Sequence, residues 1–121
     1  MSEQISTVAQ RLRIYIGEAA RYHHQPLYHA IVLAAREMGL AGATVMRALE
    51  GFGARSRIHT TNLLDLSNDL PLVVEIVDGK EYIEKFLSIL EPMVDSGMIT
   101  LDEVTVFKYA QNKTGSKRES E

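Results

Sequence analysis

The spacing of apolar residues switches along this chain between every second residue and helical spacing, and the order of these switches restricts the fold most. In residues 11–17, Leu12, Ile14 and Ile16 alternate with more polar residues, which predicts a half-covered β-strand. The same alternation predicts three further strands, over residues 42–51, 71–77 and 101–109.

Two segments between these strands carry helical spacing instead. After a predicted loop over residues 19–25, Pro26 suits the first turn of a helix, because its missing N–H would be unpaired there in any case. Gly39 marks the end of this helix. Its apolar stripe comprises Leu27, Ala30, Ile31, Ala34 and Met38.

The second helix follows the third strand. Asp78 and Glu81 have the form of a capping box, in which two side chains satisfy free N–H groups at a helix start. Pro92 predicts a kink or a break late in the helix. Gly97 predicts where the segment ends.

The order strand, helix, strand, strand, helix, strand predicts an α+β, ferredoxin-like βαββαβ fold. Such a fold has an antiparallel four-stranded sheet with both helices on one face. Neither side of the second strand is clearly polar, since Val45 and Leu49 alternate with Thr44, Met46 and Ala48. We therefore expect a partner to cover the open sheet face, and predict a homo-oligomer.

Composition restricts the class of protein further. The 121 residues, 45% of them hydrophobic, suit one domain with one core, and there is no cysteine for a disulfide, a thiolate metal site or a cysteine nucleophile. The net charge of −3 gives no global attraction to nucleic acid. We expect residues 1–10 to be flexible, residues 11–110 to form the domain and residues 111–121 to be a disordered charged tail. The first ten residues contain no apolar run, so we expect a cytoplasmic protein.

The loop after the second strand, residues 51–59, is the candidate functional segment. Gly51 and Gly53 bracket Phe52, and Arg55, Ser56, Arg57 and His59 follow. A backbone freed by glycine can turn several N–H groups toward an anion, and arginine adds forked, charge-assisted donors. The pattern suits phosphate binding, and an ordinary loop with solvated cations is the alternative.

Several runs resemble a family of small bacterial and archaeal PII-like proteins, domain-of-unknown-function family 190. These are residues 12–18 (LRIYIGE), 26–28 (PLY), 39–45 (GLAGATV), 50–53 (EGFG), 56–59 (SRIH) and 70–78 (LPLVVEIVD). More distantly, residues 42–45 and 51–53 are similar to the Gly-x-Thr-Val and Gly-Phe-Gly of PII nitrogen-regulatory signalling proteins. The chain lacks their glycine- and lysine-rich loop after the third strand, where only Asp78, Gly79 and Lys80 stand.

The resemblance implies a PII-like homotrimer that binds an adenine nucleotide, AMP, ADP or ATP, or another small anionic effector, in clefts between subunits. It also implies regulation of a protein partner, such as a membrane transporter, through the loop after the second strand. No cofactor is expected to be required. The predicted ligand-binding residues are Glu18, Thr44, Gly51, Phe52, Gly53, Ser56, Arg57 and His59.

Some side chains leave alternatives open. Arg47 either pairs with Glu50 or Glu75 or reaches the cleft, since an unpaired buried arginine is costly. Glu18 accepts from a ribose hydroxyl or is a solvated loop acid, and His59 contacts nucleotide or caps the next segment.

Two other functions compete with the regulatory interpretation. A small phosphometabolite hydrolase or transferase could use Glu75 or His59 at the same cleft, although no nucleophile with a base is evident and no catalytic residue is assigned. A metal-binding oligomer could use His23, His24 and His29. Their spacing does not place all three on one helix face, so no metal ligand is assigned.

Overall fold

The computed structural model describes residues 7–52, 59–60 and 70–111, and its main feature is a four-stranded antiparallel sheet with two helices. The elements are β1 (Thr7–Gly17), β2 (Arg21–Tyr22), β3 (Gln25–Pro26), α1 (Leu27–Glu37), β4 (Thr44–Arg47), β5 (Glu50–Gly51), β6 (His59–Thr60), β7 (Pro71–Asp78), α2 (Lys80–Leu90), a 3₁₀ turn (Glu91–Met93) and β8 (Met98–Val106). The sheet order is β4-β7-β1-β8. This arrangement confirms the predicted ferredoxin-like fold.

The core lies between the sheet and the two helices. Leu12, Ile14 and Ile16 of β1 are buried on one face, and alternate residues of β7 continue the same face. The helices cover it with residues at helical spacing, which are Leu27, Ala30, Ile31 and Ala35 of α1 and Ile83, Phe86 and Leu90 of α2. The predicted apolar stripe of the first helix is therefore confirmed as core, with Ala34 and Met38 at its margin.

The ends of β1 and β8 differ from the prediction. β1 begins at Thr7, inside the segment expected to be flexible. β8 begins at Met98 and ends at Val106, earlier than predicted at both ends. The reason is the register, in which Tyr15 pairs with Met98 and Thr7 with Val106, so the length of β1 fixes that of β8. The predicted limits of the domain and of its two flanking segments stay predictions.

Helix α1 ends in a Schellman motif. Gly39 has φ +80°, its N–H donates to the Arg36 carbonyl, and the Leu40 N–H donates to the Ala35 carbonyl. The predicted stop at Gly39 is confirmed. Pro26 is the N-cap residue, one position before the first turn where it was expected.

The predicted capping box at the start of α2 is wrong. The N-cap is Gly79, and the buried Asp78 carboxylate accepts hydrogen bonds from the N–H groups of Gly79 at 2.7 Å and Ala41 at 2.9 Å. Asp78 therefore joins the α1–β4 connection to the end of β7. Further along, α2 gives way to the 3₁₀ turn that contains Pro92, as the proline predicted.

Residues 21–26, for which a loop was predicted in part, form a small hairpin of β2 and β3. The two residues between these strands, His23 and His24, have φ values of +49° and +71°. Two positive φ values in a two-residue connection are typical of a type I′ turn, which usually contains glycine or asparagine. The absence of that signal is why the sequence did not predict a hairpin.

The predicted second strand, residues 42–51, is divided. β4 pairs with β7 from Thr44 to Arg47, and the Ala48 N–H still donates to the Pro71 carbonyl at 2.9 Å. Glu50 and Gly51 then leave the sheet and pair with β6.

Candidate functional site

The candidate loop is closed at its base by backbone pairing. Gly51 pairs with His59 and Glu50 with Thr60 in an antiparallel ladder, and the Phe52 side chain beyond it is 68% exposed. Gly53, Ser56 and Arg57, three of the predicted ligand-binding residues, lie outside the residues that the structure describes. The segment predicted to bind phosphate thus begins and ends at the paired strands β5 and β6, which follow the edge strand β4.

Gly51 has a structural role in this arrangement. A Cβ atom at residue 51 would lie 3.1 Å from Cγ of Pro71, the first residue of β7. Because such an approach is tighter than ordinary van der Waals contact, glycine allows the base of the loop to pack against β7. This role explains Gly51 without a ligand.

A cavity of about 210 Å³ lies beside the loop base, on the helix side of β4. It is lined by Glu18, Tyr28, Val45, Arg47 and Leu72. In the register of the sheet, Arg47 stands opposite the buried Leu72 and Val45 opposite the buried Val74, so both project to the helix side.

Arg47 and Glu18 form an ion pair in this cavity, with 2.5 Å between Nη2 and Oε2. Neither partner expected for Arg47, Glu50 or Glu75, is the observed one: Arg47 pairs with Glu18, and Glu75 pairs with Arg13 at 3.0 Å. Arg47 also lines the cavity of the single chain. The sequence did not reveal this pair because Glu18 follows β1, which is not hydrogen-bonded to β4.

Glu18 connects three parts of the chain. Its N–H donates to the carbonyl of Leu70, directly before β7, at 2.8 Å, while its side chain holds Arg47 at the end of β4. The chain leaves the four-stranded sheet after β4 and rejoins it at β7. Glu18 therefore contacts both ends of the segment that carries the loop.

The other predicted ligand-binding residues are not all in one place. Thr44 stands opposite Glu75, on the sheet face that the helices leave open, whereas Glu18 lies in the cavity on the helix side. Glu75, the candidate catalytic acid, is also on the open face, where it pairs with Arg13. Tyr28, to which the sequence analysis assigned no role, packs against the core and also lines the cavity.

The histidines of the β2–β3 region stand apart from this cavity. The ring of His23 stacks on that of Tyr22 with 4.0 Å between centroids, and His29 lies in α1. Among the described residues, no three histidine, aspartate or glutamate side chains are grouped so that they could hold a metal ion. Within the same residues, no helix is both long and apolar enough to cross a membrane.

Comparison with known sequences gives a family match over nearly all described residues. The model of the DUF190 family, described as "Uncharacterized ACR", matches residues 9–106. A UPF0166 protein of Aquifex aeolicus is 40% identical over 95 residues, which are 78% of this chain and 90% of the relative. A UPF0166 protein of Methanocaldococcus jannaschii is 30% identical over 101 residues, which are 83% and 93% of the two chains.

Solved structures share the fold at low sequence identity. CPII from Thiomonas intermedia K12, bound to ADP and bicarbonate, has a TM-score of 0.64 at 18% identity, covering 87% of this chain and 94% of CPII. Another structure of CPII, described as a nitrogen regulatory PII-like protein, contains ADP, AMP and bicarbonate. A putative PII-like signalling protein from Thermus thermophilus has a TM-score of 0.61 at 14% identity, covering 84% and 91%. At these identities the likeness shows a PII-like fold.

Proposed function

The chain belongs to the DUF190 family, and we propose that it is a PII-like regulatory protein that binds an adenine nucleotide at a cleft between subunits. The observation that carries this proposal is the position of the loop base. The base of the loop, where Gly51 pairs with His59, follows β4 by a few residues, and Arg47 at the end of β4 lines the cavity with Glu18. The PII-like CPII structures, which bind ADP and AMP, support the choice of nucleotide.

The phosphates are assigned to the loop, where Gly51, Gly53, Ser56, Arg57 and His59 supply donors. Phe52, Thr44 and Glu18 complete the proposed site. Because Thr44 and Glu18 lie on opposite sides of β4, one bound molecule contacts both only by crossing the strand edge, which a cleft between two subunits allows.

We further propose a homotrimer that assembles through the open sheet face. Each of the four strands contributes one residue to a continuous line of apolar side chains across this face, which we call the apolar row. Its members, which are neighbours in the register, are Met46, Val73, Tyr15 and Met98. Met46 is 42% and Met98 54% exposed in the single chain. Burying such a row against further copies of the chain removes apolar surface from water.

The charges on this face favour the same assembly. Arg11 donates two hydrogen bonds to Asp102, at 3.1 and 2.7 Å, and Arg13 pairs with Glu75. The bond from Arg11 holds the pKa of the Asp102 carboxyl below its usual range, so this carboxylate stays ionised at a lower pH than an ordinary aspartate does. Each subunit thereby neutralises its own charges on the face that it would bury.

The loop then transmits the signal. Nucleotide binding stabilises one arrangement of residues 51–62. In the cytoplasm, a protein partner such as a membrane transporter recognises that arrangement. No catalytic step and no required cofactor are part of this proposal.

A ligand panel on the purified oligomer tests nucleotide binding. AMP, ADP, ATP, cyclic AMP and bicarbonate are added separately and thermal unfolding is followed, since a ligand that binds only the folded state raises its apparent stability. We expect a saturable shift with one adenine nucleotide. In Arg57→Ala its affinity falls about tenfold or more, the size of a charge-assisted hydrogen bond.

The matched control is Arg36→Ala, which removes an exposed arginine from α1, away from the loop. It keeps the nucleotide affinity of the unmodified protein. Absence of a shift with every nucleotide contradicts the proposed function, and an unchanged affinity in Arg57→Ala contradicts the assignment of Arg57.

A further inference from the structure

The Glu18–Arg47 pair lies in a cavity and is only partly shielded from water. The Arg47 side chain is 58% exposed and that of Glu18 is 21% exposed. Ion pairs exposed to this degree contribute only about 0–1 kcal/mol to stability. A ligand that offers Arg47 an equivalent oxygen can therefore displace Glu18 at little cost.

The chemistry of Arg47 selects the group that can displace Glu18. A guanidinium has five N–H donors in a planar fork and keeps its charge at any physiological pH. In the structure Nη2 contacts one oxygen of Glu18, and the exposure of the side chain leaves other donors accessible. A free carboxylate can take two parallel hydrogen bonds from such a fork.

The remaining walls suit a small organic acid. Val45 and Leu72 are apolar, and Tyr28 adds an aromatic surface with a hydroxyl group. A volume of about 210 Å³ accommodates a compound of a few carbon atoms, with its carboxylate at Arg47 and its apolar part against Val45 and Leu72.

We propose that this cavity binds a small organic carboxylate, that Arg47 is its receptor, and that Glu18 is an internal carboxylate that competes with the ligand for Arg47. The proposal rests on the proposed function only in treating the ligand as an effector of the same regulatory protein. The Glu18 N–H donates to the carbonyl of Leu70, the residue before β7. Displacement of the Glu18 side chain therefore occurs next to the point where the chain enters β7.

Opposite effects of two charge-removing substitutions test the proposal. Acetate is titrated into the protein, and binding is followed through the methyl NMR signals of Val45, which lines the cavity and remains in every variant. In Glu18→Gln the competing charge is lost, and the affinity for acetate rises about two- to fivefold, the equivalent of an exposed ion pair. In Arg47→Gln the affinity falls about tenfold or more.

Two comparisons complete the experiment. Arg36→Gln, which removes an equal charge outside the cavity, leaves acetate binding unchanged, and inorganic phosphate at equal concentration shifts the Val45 signals less than acetate does. The proposal is overturned if the Glu18 and Arg47 variants change affinity in the same direction or not at all, or if phosphate binds better. Since the probe is acetate, failure here leaves ADP binding intact, and failure of nucleotide binding leaves the acetate result intact.

Discussion

At the scale of single residues, Gly97 shows how tightly one position can be determined by contacts that are distant in sequence. Its φ is +151°, and a Cβ atom there would lie 2.5 Å from the Tyr15 carbonyl oxygen and 3.0 Å from Cγ2 of Ile16. The residue lets the chain enter β8 directly against the end of β1. The sequence predicted Gly97 only as the end of the helical segment. In the structure, glycine is required at this position because of the close approach to β1.

We expect Gly97→Ala to destabilise the fold by about 2–4 kcal/mol, because it combines an unfavourable φ with an overlap against rigid backbone. Chemical denaturation of the purified protein measures the change. Gly42→Ala is the control, since nothing lies within 4 Å of the added Cβ there and its stability changes by less than about 1 kcal/mol. Equal losses in the two variants would contradict the steric explanation.

At the scale of the elements, Asp78 joins the two halves of the fold. Its carboxylate accepts from the Ala41 N–H in the α1–β4 connection and from the Gly79 N–H at the N-cap of α2. A capping box would have stabilised α2 alone. The observed bonds stabilise the contact between two segments that are far apart in the chain.

These two interpretations predict different effects of mutation. We expect Asp78→Ala to lower the free energy of unfolding by about 1–3 kcal/mol, because buried N–H groups lose their acceptor. Glu81→Ala, at the other capping-box position, changes it by no more than about 0.5 kcal/mol, the usual size of a first-turn charge effect. Urea unfolding measures both variants. Comparable losses of unfolding free energy in the two would support the capping-box interpretation instead.

At the scale of the whole molecule, the open sheet face is the largest feature that a single chain leaves unexplained. The apolar row crosses it beside two ion pairs, and the proposed trimer accounts for both. The edge strand β4 carries part of this face and one wall of the Glu18–Arg47 cavity, so the proposed assembly and the proposed ligand site meet at one strand.

Assembly through this face predicts that Met46→Glu dissociates the oligomer, because it places an unpaired carboxylate in the apolar row. Size-exclusion chromatography with light scattering at micromolar concentration should show trimers for the unmodified chain and monomers for the variant. Leu33→Glu, on the exposed side of α1, is the matched control and stays trimeric. A trimeric Met46→Glu protein would place the interface elsewhere.

The sequence by itself determined the number, type and order of the main elements and which face of β1 and α1 is buried. Those properties follow from apolar spacing, as in Leu12, Ile14 and Ile16, and apolar spacing is local. Family membership was also predictable, since matching runs are spread from residue 12 to residue 78. Single strong signals, such as Pro92 and Gly39, predicted their turns because proline and glycine restrict the backbone wherever they stand.

Only the tertiary structure decided which side chains meet. Glu18 and Arg47 are 29 residues apart, and Glu18 follows β1, which is not a neighbour of β4 in the sheet, so no spacing rule connects them. Asp78 and Ala41 are separated by 37 residues, and the local capping pattern at Asp78 gave the wrong partner. The division of the second strand also depends on distant residues. Its pairing with β7 ends at the hydrogen bond from Ala48 to Pro71, and residues 50–51 pair with β6 instead. Local sequence sets the conformation of each segment, whereas the pairing of polar groups is settled by the packing of segments that the sequence does not place side by side.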